Sequence, residues 1–409
     1  MFGKVNIHIT SILFVAVFII GCSQVKRTHS SDFSDDRFSM VDSFFYDKVE
    51  EKQLAGAVTL IARGGKIQHL KSYGFLDIEN KIPMNSRVVI PIASMTKVIT
   101  TIAVLMLYEE SRLLLDDPIE KYIPEFADIR VLISPDSVET ELLHSKPTIR
   151  DLLRHTSGMV YSGGNTVTDK LYKEAGFREC AGSLHDFVKK VAEIPLAFQP
   201  NQKWAYSYSH DVLGYIVENV SGTTLDLFFA DRLFKPLGLN NTGFFLPEEK
   251  SHMLSNLYVY DKGLLKIDDA RDNSIYTRLP ETCSGGGGWW SSYGGVVTTI
   301  EEFYVICDML LNYGKYGDAT ILNRKTVEMM TTNQIGDLDA YGNKYGFGVG
   351  VINSDNRTEE VFWAGSPYNT YFWMNYHKKV VGILLTNTAP YGHLDMMNQF
   401  KVLSMQAFE

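Results

Sequence analysis

Apolar residues recur along this chain with two spacings, and each spacing predicts a different kind of element. Alternating or continuous apolar runs bounded by turn residues predict strands. These strands fall at 57–62, 66–73, 345–352, 360–365, 370–376 and 380–386. Apolar residues every third or fourth position predict helices with a buried face. These helices fall at 40–49, 94–110, 148–158, 212–222, 225–234, 303–311 and 393–408. Strands therefore lie near both ends of the chain, and most helices lie between them.

Turn and cap signals support these boundaries. Gly64-Gly65 separates the first two strands and predicts a β-hairpin. Thr148 and Thr299 each stand three residues before an acidic residue, which is the pattern of a helix N-cap. Asn201 follows a proline and suits a turn position with positive φ. Residues 244–282 have no strong period, which indicates loops and short strands, and the chain contains no internal repeat.

Composition places the chain among ordinary globular proteins. It has 409 residues, of which 45% are hydrophobic and 21% charged, so it is long enough to bury a large core. The formal net charge of −9 argues against a nucleic acid as the main partner.

The N-terminus predicts an exported, lipid-anchored protein. Lys4 precedes an apolar stretch at 12–20 that is short for a membrane span, and the stretch ends in Ile19-Ile-Gly-Cys22. This resembles a bacterial lipoprotein signal with Cys22 as the lipidated residue; an uncleaved membrane anchor is the alternative. We expect residues 1–22 to be the signal, 23–38 a flexible tether and 39–409 the functional domain. The expected location is the bacterial cell envelope, with the membrane as a partner through Cys22.

The remaining cysteines predict neither disulfides nor a metal centre. Only Cys180, Cys283 and Cys307 follow Cys22, and no Cys/His spacing fits a metal site. We therefore expect no metal and no cofactor. The glycine run at 285–288 lies between Cys283 and two tryptophans, which favours a close-packed loop beside a cleft over a linker.

Ser94-Met-Thr-Lys97 is the main candidate for chemistry. The pair stands at the start of the apolar helix, and Lys97 lies about one turn after Ser94 on the same side. A hydroxyl needs a base to act as a nucleophile, and a desolvated lysine at a helix N-terminus can lose its charge and serve as that base. The alternative is an N-cap serine beside a solvated lysine. The motif also occurs at Ser23, where no helix is predicted.

His155, between the predicted helix end and Gly158, is the other conspicuous polar residue. We expect it to be a structural hydrogen-bonding residue rather than a catalytic base.

Several segments together resemble the serine β-lactamase-like family, which includes class C β-lactamases, D-Ala-D-Ala carboxypeptidases and family VIII carboxylesterases. The resemblance covers roughly residues 40–405. It depends on segments that follow the family's order: Ser94–Lys97, 148–158, 200–208, 235–239 and Gly294-Gly295 before the Thr299 cap. The resemblance implies an α+β fold of the β-lactamase/transpeptidase type. In that fold, N- and C-terminal strands form an antiparallel sheet flanked by helices, with a mostly helical region inserted.

The resemblance also implies residue roles. Ser94 would be the acylated nucleophile, Lys97 its general base and Tyr206 the proton shuttle to the leaving group. The backbone N–H groups of Ser94 and Ser366 would form the oxyanion hole.

Two departures from the family pattern guide the expected substrate. Tyr208 replaces the asparagine of the Tyr-x-Asn motif, and Trp363-Ala364-Gly365 replaces the Lys-Thr-Gly of β-lactamases. We expect these four residues to contact substrate. A cation is therefore missing where a β-lactam carboxylate would bind, which favours a carboxylesterase on small esters over an amide substrate. A β-lactamase or D-Ala-D-Ala carboxypeptidase, and a catalytically silent binding lipoprotein, remain the alternatives. No Gly-x-Ser-x-Gly elbow is present.

Overall fold

A computed structural model describes residues 33–161, 164, 166–176, 183–268, 285–287, 295–354 and 357–408. Residues from Asp32 onward form one compact unit. The predicted signal, Cys22, most of the tether, Cys180, Cys283 and 288–290 lie outside the described residues.

The strands are numbered along the chain. They are β1 Phe33–Ser34, β2 Gly56–Arg63, β3 Lys66–Asp77, β4 Ile82–Pro83, β5 Ile90–Pro91, β6 Val131–Leu132, β7 Thr140–Glu141, β8 Tyr258–Asp261, β9 Leu264–Ile267, β10 Val297–Thr298, β11 Lys315–Tyr316, β12 Ala319–Thr320, β13 Lys344–Tyr345, β14 Gly350–Ser354, β15 Arg357–Gly365, β16 Thr370–Asn375, β17 Val380–Thr386 and β18 Thr388–Ala389.

The α-helices are numbered in the same way. They are α1 Ser39–Glu50, α2 Thr96–Glu109, α3 Ile149–Leu153, α4 Val167–Glu174, α5 Leu184–Ala192, α6 Ser209–Ser221, α7 Leu225–Phe229, α8 Lys235–Leu237, α9 Ile300–Leu311, α10 Arg324–Met330 and α11 Met396–Gln406.

One antiparallel sheet joins the two ends of the chain. Its strand order is β1-β3-β2-β17-β16-β15-β14-β13, with β4 paired to β3. The hairpin strand β2 pairs with the C-terminal strand β17 in a register that places Ala57 opposite Thr386 and Arg63 opposite Val380. This confirms the α+β architecture, with the sheet built from N- and C-terminal strands and the helical segments inserted between them.

Helices cover both faces of the sheet because its strands alternate two sets of apolar side chains. On β16, Phe372 belongs to the core beneath α2 and α9, whereas the next residue, Trp373, belongs to the core beneath α1 and α11. The helix α2 is buried from Thr96 to Leu107, so it runs through the middle of the molecule. This central position brings the start of α2 beside the sheet.

The turn and cap predictions, which depend only on neighbouring residues, were confirmed. Gly64 and Gly65 both have positive φ, as a type I′ hairpin turn requires. The Thr148 and Thr299 side chains accept hydrogen bonds from the N–H groups of Asp151 and Glu302. Asn201 has φ of 69°.

Other boundaries were wrong. The strand predicted at 345–352 is two strands, because the chain turns at Gly348, which has φ of 69°. A Cβ there would lie 2.1 Å from Thr101 Oγ1 of α2, so the turn packs against that helix. The helix predicted to reach Gly158 ends at Leu153, and His155 has a positive φ. No helix in the described ranges is long and apolar enough to cross a membrane.

Candidate active site

Ser94 lies in a buried turn directly before α2. Residues Ala93–Met95 form a 3₁₀ turn that runs into the helix, and Ala93 has φ of 47°. The Ile92 N–H donates to Val296 O at 2.9 Å, which ties this turn to the segment before β10. Ser94 is only 7% exposed. Ser94 is therefore largely shielded from solvent rather than placed on an open surface.

Lys97 lies one helical turn after Ser94 and is fully buried. Its Nζ donates to Ser94 Oγ at 3.4 Å and also to Gly287 O. Burial lowers the pKa of Lys97 to about 7, although the nearby Asp211 carboxylate acts in the opposite direction. At neutral pH a substantial fraction of Lys97 is therefore uncharged and able to accept a proton.

Tyr206 is the third member of the group. Lys97 Nζ lies 4.6 Å from the centre of the Tyr206 ring. Burial raises the pKa of the Tyr206 hydroxyl, while the nearby Ser94 hydroxyl and Trp363 indole act to lower it. The structure thus brings together Ser94, Lys97 and Tyr206, which lie far apart in the sequence.

The strand β15 forms the opposite wall. Trp363 packs on the rings of Tyr206 and Tyr345, with centroid distances of 5.5 and 5.1 Å. Ala364 is the next residue of β15, and Gly365 ends the strand against the turn that carries Ser94. A Cβ on Gly365 would lie 2.3 Å from Ile92 O, so only glycine permits this approach. Ser366 is the residue directly after Gly365, so it lies next to that contact.

The polar atoms of this wall are donors. The rings of Trp363 and Trp204 are partly exposed, but their Nε1 atoms are buried without a hydrogen-bond partner among the described residues. The same holds for the hydroxyl of Tyr345, which is fully buried. Uncharged donors therefore lie around Tyr206 and Trp363.

The expectation for Tyr208 needs correction. Its side chain, expected to contact substrate, is 1% exposed and lies in the core. It packs against the rings of Tyr161, Tyr172 and Phe187 at centroid distances of 4.4, 5.1 and 5.6 Å. Packing among these rings stabilises an aromatic side chain in the core at this position. Tyr161, which packs on Tyr208, also faces Lys97, whose Nζ is 5.5 Å from the Tyr161 ring centre.

His155 occupies a structural position, as expected. It is 1% exposed, and its Nδ1 is 2.9 Å from Ser207 Oγ. Its ring packs on His210 at 4.8 Å and on Tyr206 at 4.9 Å. Burial lowers its pKa well below the ordinary value, so His155 is a neutral support behind Tyr206.

Sequence reasoning missed Asp211 and did not connect the glycine run to Lys97. Asp211, on α6, is fully buried and accepts a hydrogen bond from Gly287 N–H at 2.9 Å. Gly286 and Gly287 pack closely beside the site, as the glycine run predicts, since a Cβ on either would overlap α6. The sequence feature that could have identified Asp211 is an acidic residue in an apolar helix, five positions after Tyr206.

Within the described residues, no group of His, Cys, Asp and Glu side chains could hold a metal ion. The buried Cys307 is a free thiol in the core.

Comparisons with known proteins agree on the fold and family. The family model described as Beta-lactamase matches residues 41–404. Esterase EstB of Burkholderia gladioli is 34% identical over 218 residues, which are 52% of this chain and 53% of that protein. A putative D-alanyl-D-alanine carboxypeptidase of Escherichia coli K12 is 27% identical over 350 residues, covering 79% and 77% of the two chains.

A solved structure, "EstCE1, a hydrolase with promiscuous acyltransferase activity", has a TM-score of 0.75 and 22% identity. The match covers 91% of this chain and 98% of that one. This likeness shows the β-lactamase/transpeptidase-like fold. Because the family model spans nearly all of the described domain, the chain belongs to the β-lactamase family of serine hydrolases.

Proposed function

We propose that this protein is a carboxylesterase that hydrolyses small, uncharged esters through an acyl-enzyme on Ser94. The observation that carries the proposal is the wall beside Tyr206, where Trp363 packs among aromatic rings; in the family resemblance it takes the position of a cationic residue. A substrate carboxylate buried against this wall without a cation would lose several kcal/mol in desolvation. An ester without a carboxylate avoids that cost.

The geometry supports a specific sequence of steps. Neutral Lys97 removes the proton of Ser94 Oγ as that oxygen attacks the ester carbonyl carbon. The backbone N–H groups of Ser94 and Ser366 stabilise the resulting oxyanion. Tyr206 passes the proton to the leaving alkoxide as the C–O bond breaks. A water molecule then hydrolyses the acyl-enzyme, with the same residues returning the proton to Ser94.

The names of the relatives include both an esterase and a carboxypeptidase, so the bond cleaved is the main alternative. The test is kcat/KM for p-nitrophenyl butyrate and for a chromogenic cephalosporin on one preparation. We expect the ester to be the better substrate by orders of magnitude. A better cephalosporin would replace the esterase with a β-lactamase.

The control is Ser94→Ala, which removes one hydroxyl from the turn before α2 and its hydrogen bond to Lys97, and should leave the fold intact at a stability cost of ~1 kcal/mol. Turnover should be lost. Lys97→Ala and Tyr206→Phe should each also reduce kcat strongly, and the losses should not add, since the three groups act together. If a fluorophosphonate probe fails to label wild-type protein while labelling a known serine hydrolase, a binding protein becomes the better explanation.

A further inference from the structure

Asp211 is a buried carboxylate that the steps above do not use. It lies in the first turn of α6, whose following residues Val212 and Leu213 are apolar and buried. It is fully buried itself. A carboxylate in such surroundings is expensive unless a cation or hydrogen-bond donors compensate for the lost water. One oxygen, Oδ1, accepts from the Gly287 N–H at 2.9 Å, whereas Oδ2 has no hydrogen-bond partner among the described residues.

The Gly287 peptide connects Asp211 to Lys97. Its N–H donates to Asp211 Oδ1, and its carbonyl accepts from Lys97 Nζ. A Cβ on Gly287 would lie 2.1 Å from Asp211 Oδ2, so the peptide can sit between the two side chains only because residue 287 is glycine. Thr100 Oγ1 fixes the adjacent peptide by donating to Gly286 O at 2.7 Å. The lysine, the peptide and the carboxylate therefore form one fixed arrangement.

The other titratable groups that face Lys97 are neutral. Burial lowers the pKa of His155 and of His210 well below the ordinary value, and both lie close enough to be affected by Lys97. Burial raises the pKa of Tyr161 and of Tyr206, whose rings face the ammonium group. These groups come from the 154–161 loop, the 204–208 segment and α6. In the described part of the chain, Asp211 is the carboxylate that acts on Lys97.

We propose that Asp211 is a positioning residue of the Ser94 site: through Gly287 it holds the Lys97 side chain against Ser94, and its charge stabilises the ammonium that Lys97 becomes during acylation. This inference depends on the proposed role of Lys97 as the base. The proton leaves Ser94 Oγ for Lys97 Nζ as the Oγ–C bond forms and the carbonyl electron pair moves to oxygen. It leaves Lys97 by way of Tyr206 when the leaving alkoxide departs. Asp211 stays ionised throughout.

Asp211→Asn separates this role from simple packing. The amide has the same shape and can still accept from the Gly287 N–H, but it carries no charge. Losing the carboxylate should make Lys97 easier to deprotonate, so the acid limb of kcat/KM should move to lower pH. The plateau should nevertheless fall, by about 10²-fold, because the ammonium formed in the transition state is less stabilised. A residue that only supports the fold would not move the acid limb.

Asp308→Asn is the matched control. Asp308 lies on α9, is 9% exposed, and burial likewise raises its pKa, but its side chain contacts Tyr304 and Asn312. The pH profile of this variant should match that of the wild type. If it shifts as Asp211→Asn does, the effect belongs to any buried acid and the proposal fails.

A readout without turnover keeps this inference distinct from the proposed function. The Lys97 ammonium can be titrated by NMR of protein labelled with ¹³Cε-lysine, with its signal assigned by its loss in Lys97→Arg. We expect a lower titration midpoint in Asp211→Asn than in wild type. An unchanged midpoint in the folded variant would overturn the proposal even if the protein proves to be an esterase.

The wild type provides a measurement in case the variant misfolds. Burial raises the pKa of Asp211 and lowers that of Lys97, so the two groups titrate closer together than an exposed pair would. Since they interact, the Lys97 signal should respond to the titration of both groups, in more than one step. A single step would count against the arrangement.

Discussion

The complete burial of Lys97 lowers its pKa and so sets the pH range in which it can accept a proton. Lys97 loses its hydrating water on burial in the core, and this loss destabilises the ammonium more than the neutral amine. The nearby carboxylate of Asp211 stabilises the ammonium and so partly offsets the fall in the pKa of Lys97. The net effect of burial is to lower the pKa of Lys97 toward neutral pH, where a general base is most effective.

The pH dependence of the wild type follows from this balance. The proposed mechanism requires neutral Lys97, so kcat/KM should rise with pH through about 7 and fall about tenfold per pH unit on the acid side. The raised pKa of Tyr206 means that its ionisation should not reduce activity in the mildly alkaline range. The measurement is kcat/KM for a neutral ester from about pH 5 to about pH 9. Activity that keeps rising toward the range of an ordinary lysine would contradict the burial argument.

At the scale of elements, the site depends on how closely the end of β15 approaches the turn before α2. Gly365 lies against Ile92 O, and Thr370 Oγ1 of the neighbouring strand donates to the same oxygen at 3.3 Å. Two strands thus meet the segment that carries Ser94. This contact brings the end of β15 to the turn that carries Ser94, so the proposed mechanism depends on the spacing between strand and turn.

Gly365→Ala tests that spacing. The added Cβ would lie 2.2 Å from Thr370 Oγ1 and 2.3 Å from Ile92 O, so the strand and the turn must separate. We expect a loss of about 1–3 kcal/mol in the free energy of unfolding. We also expect a fall in kcat of at least about tenfold, because Ser366 is a proposed oxyanion donor and small displacements of such a donor are costly. Chemical denaturation and steady-state kinetics measure the two effects.

Gly382→Ala provides the comparison. Gly382 lies on β17 of the same sheet, and a Cβ there would lie 2.4 Å from Trp373 Nε1, which is a similar overlap. Trp373, however, belongs to the core beneath α1 and α11, away from Ser94. This variant should lose stability but keep its kcat. Equal losses of kcat in both variants would mean that β15 has no special relation to the site.

The limits of the sequence analysis follow from the range of the interactions involved. The hairpin at Gly64-Gly65 and the Thr148 cap depend on residues a few positions apart, and both were predicted. The break at Gly348 depends on Thr101, a distant residue, and was missed. Asp211 was missed for the same reason, because its partner in space is Gly287.

Tyr208 shows a different limit. The family pattern predicted a substrate contact for it, but its side chain packs in an aromatic cluster formed by Tyr161, Tyr172 and Phe187. Those rings come from three other segments, and no local pattern connects them. Packing of this kind becomes visible only once the fold is known.

At the scale of the whole molecule, the proposed location rests on the sequence Ile19-Ile-Gly-Cys22. We propose that Cys22 is lipidated and attaches the protein to the bacterial membrane, so wild-type protein should be recovered with membranes. Cys22→Ser should lose the lipid and accumulate as unprocessed precursor. Fractionation and mass spectrometry of the N-terminus measure this.

Cys307→Ser is the control, since Cys307 is a buried thiol of α9 and should have no part in anchoring. Mature wild-type protein with an unmodified N-terminus in the soluble fraction would refute the lipid anchor.

Because β2 pairs with β17, a cut in the chain between them would divide the central sheet into two parts. A cut in the turn between β8 and β9, at Lys262-Gly263, would leave Ser94, Lys97 and Tyr206 in one fragment and Trp363 in the other. The same cut would separate the strands β1–β4 from β13–β17, so each fragment would expose an unpaired sheet edge that the other fits. We therefore expect the two fragments to complement each other, with the proposed ester hydrolysis restored only when they are mixed.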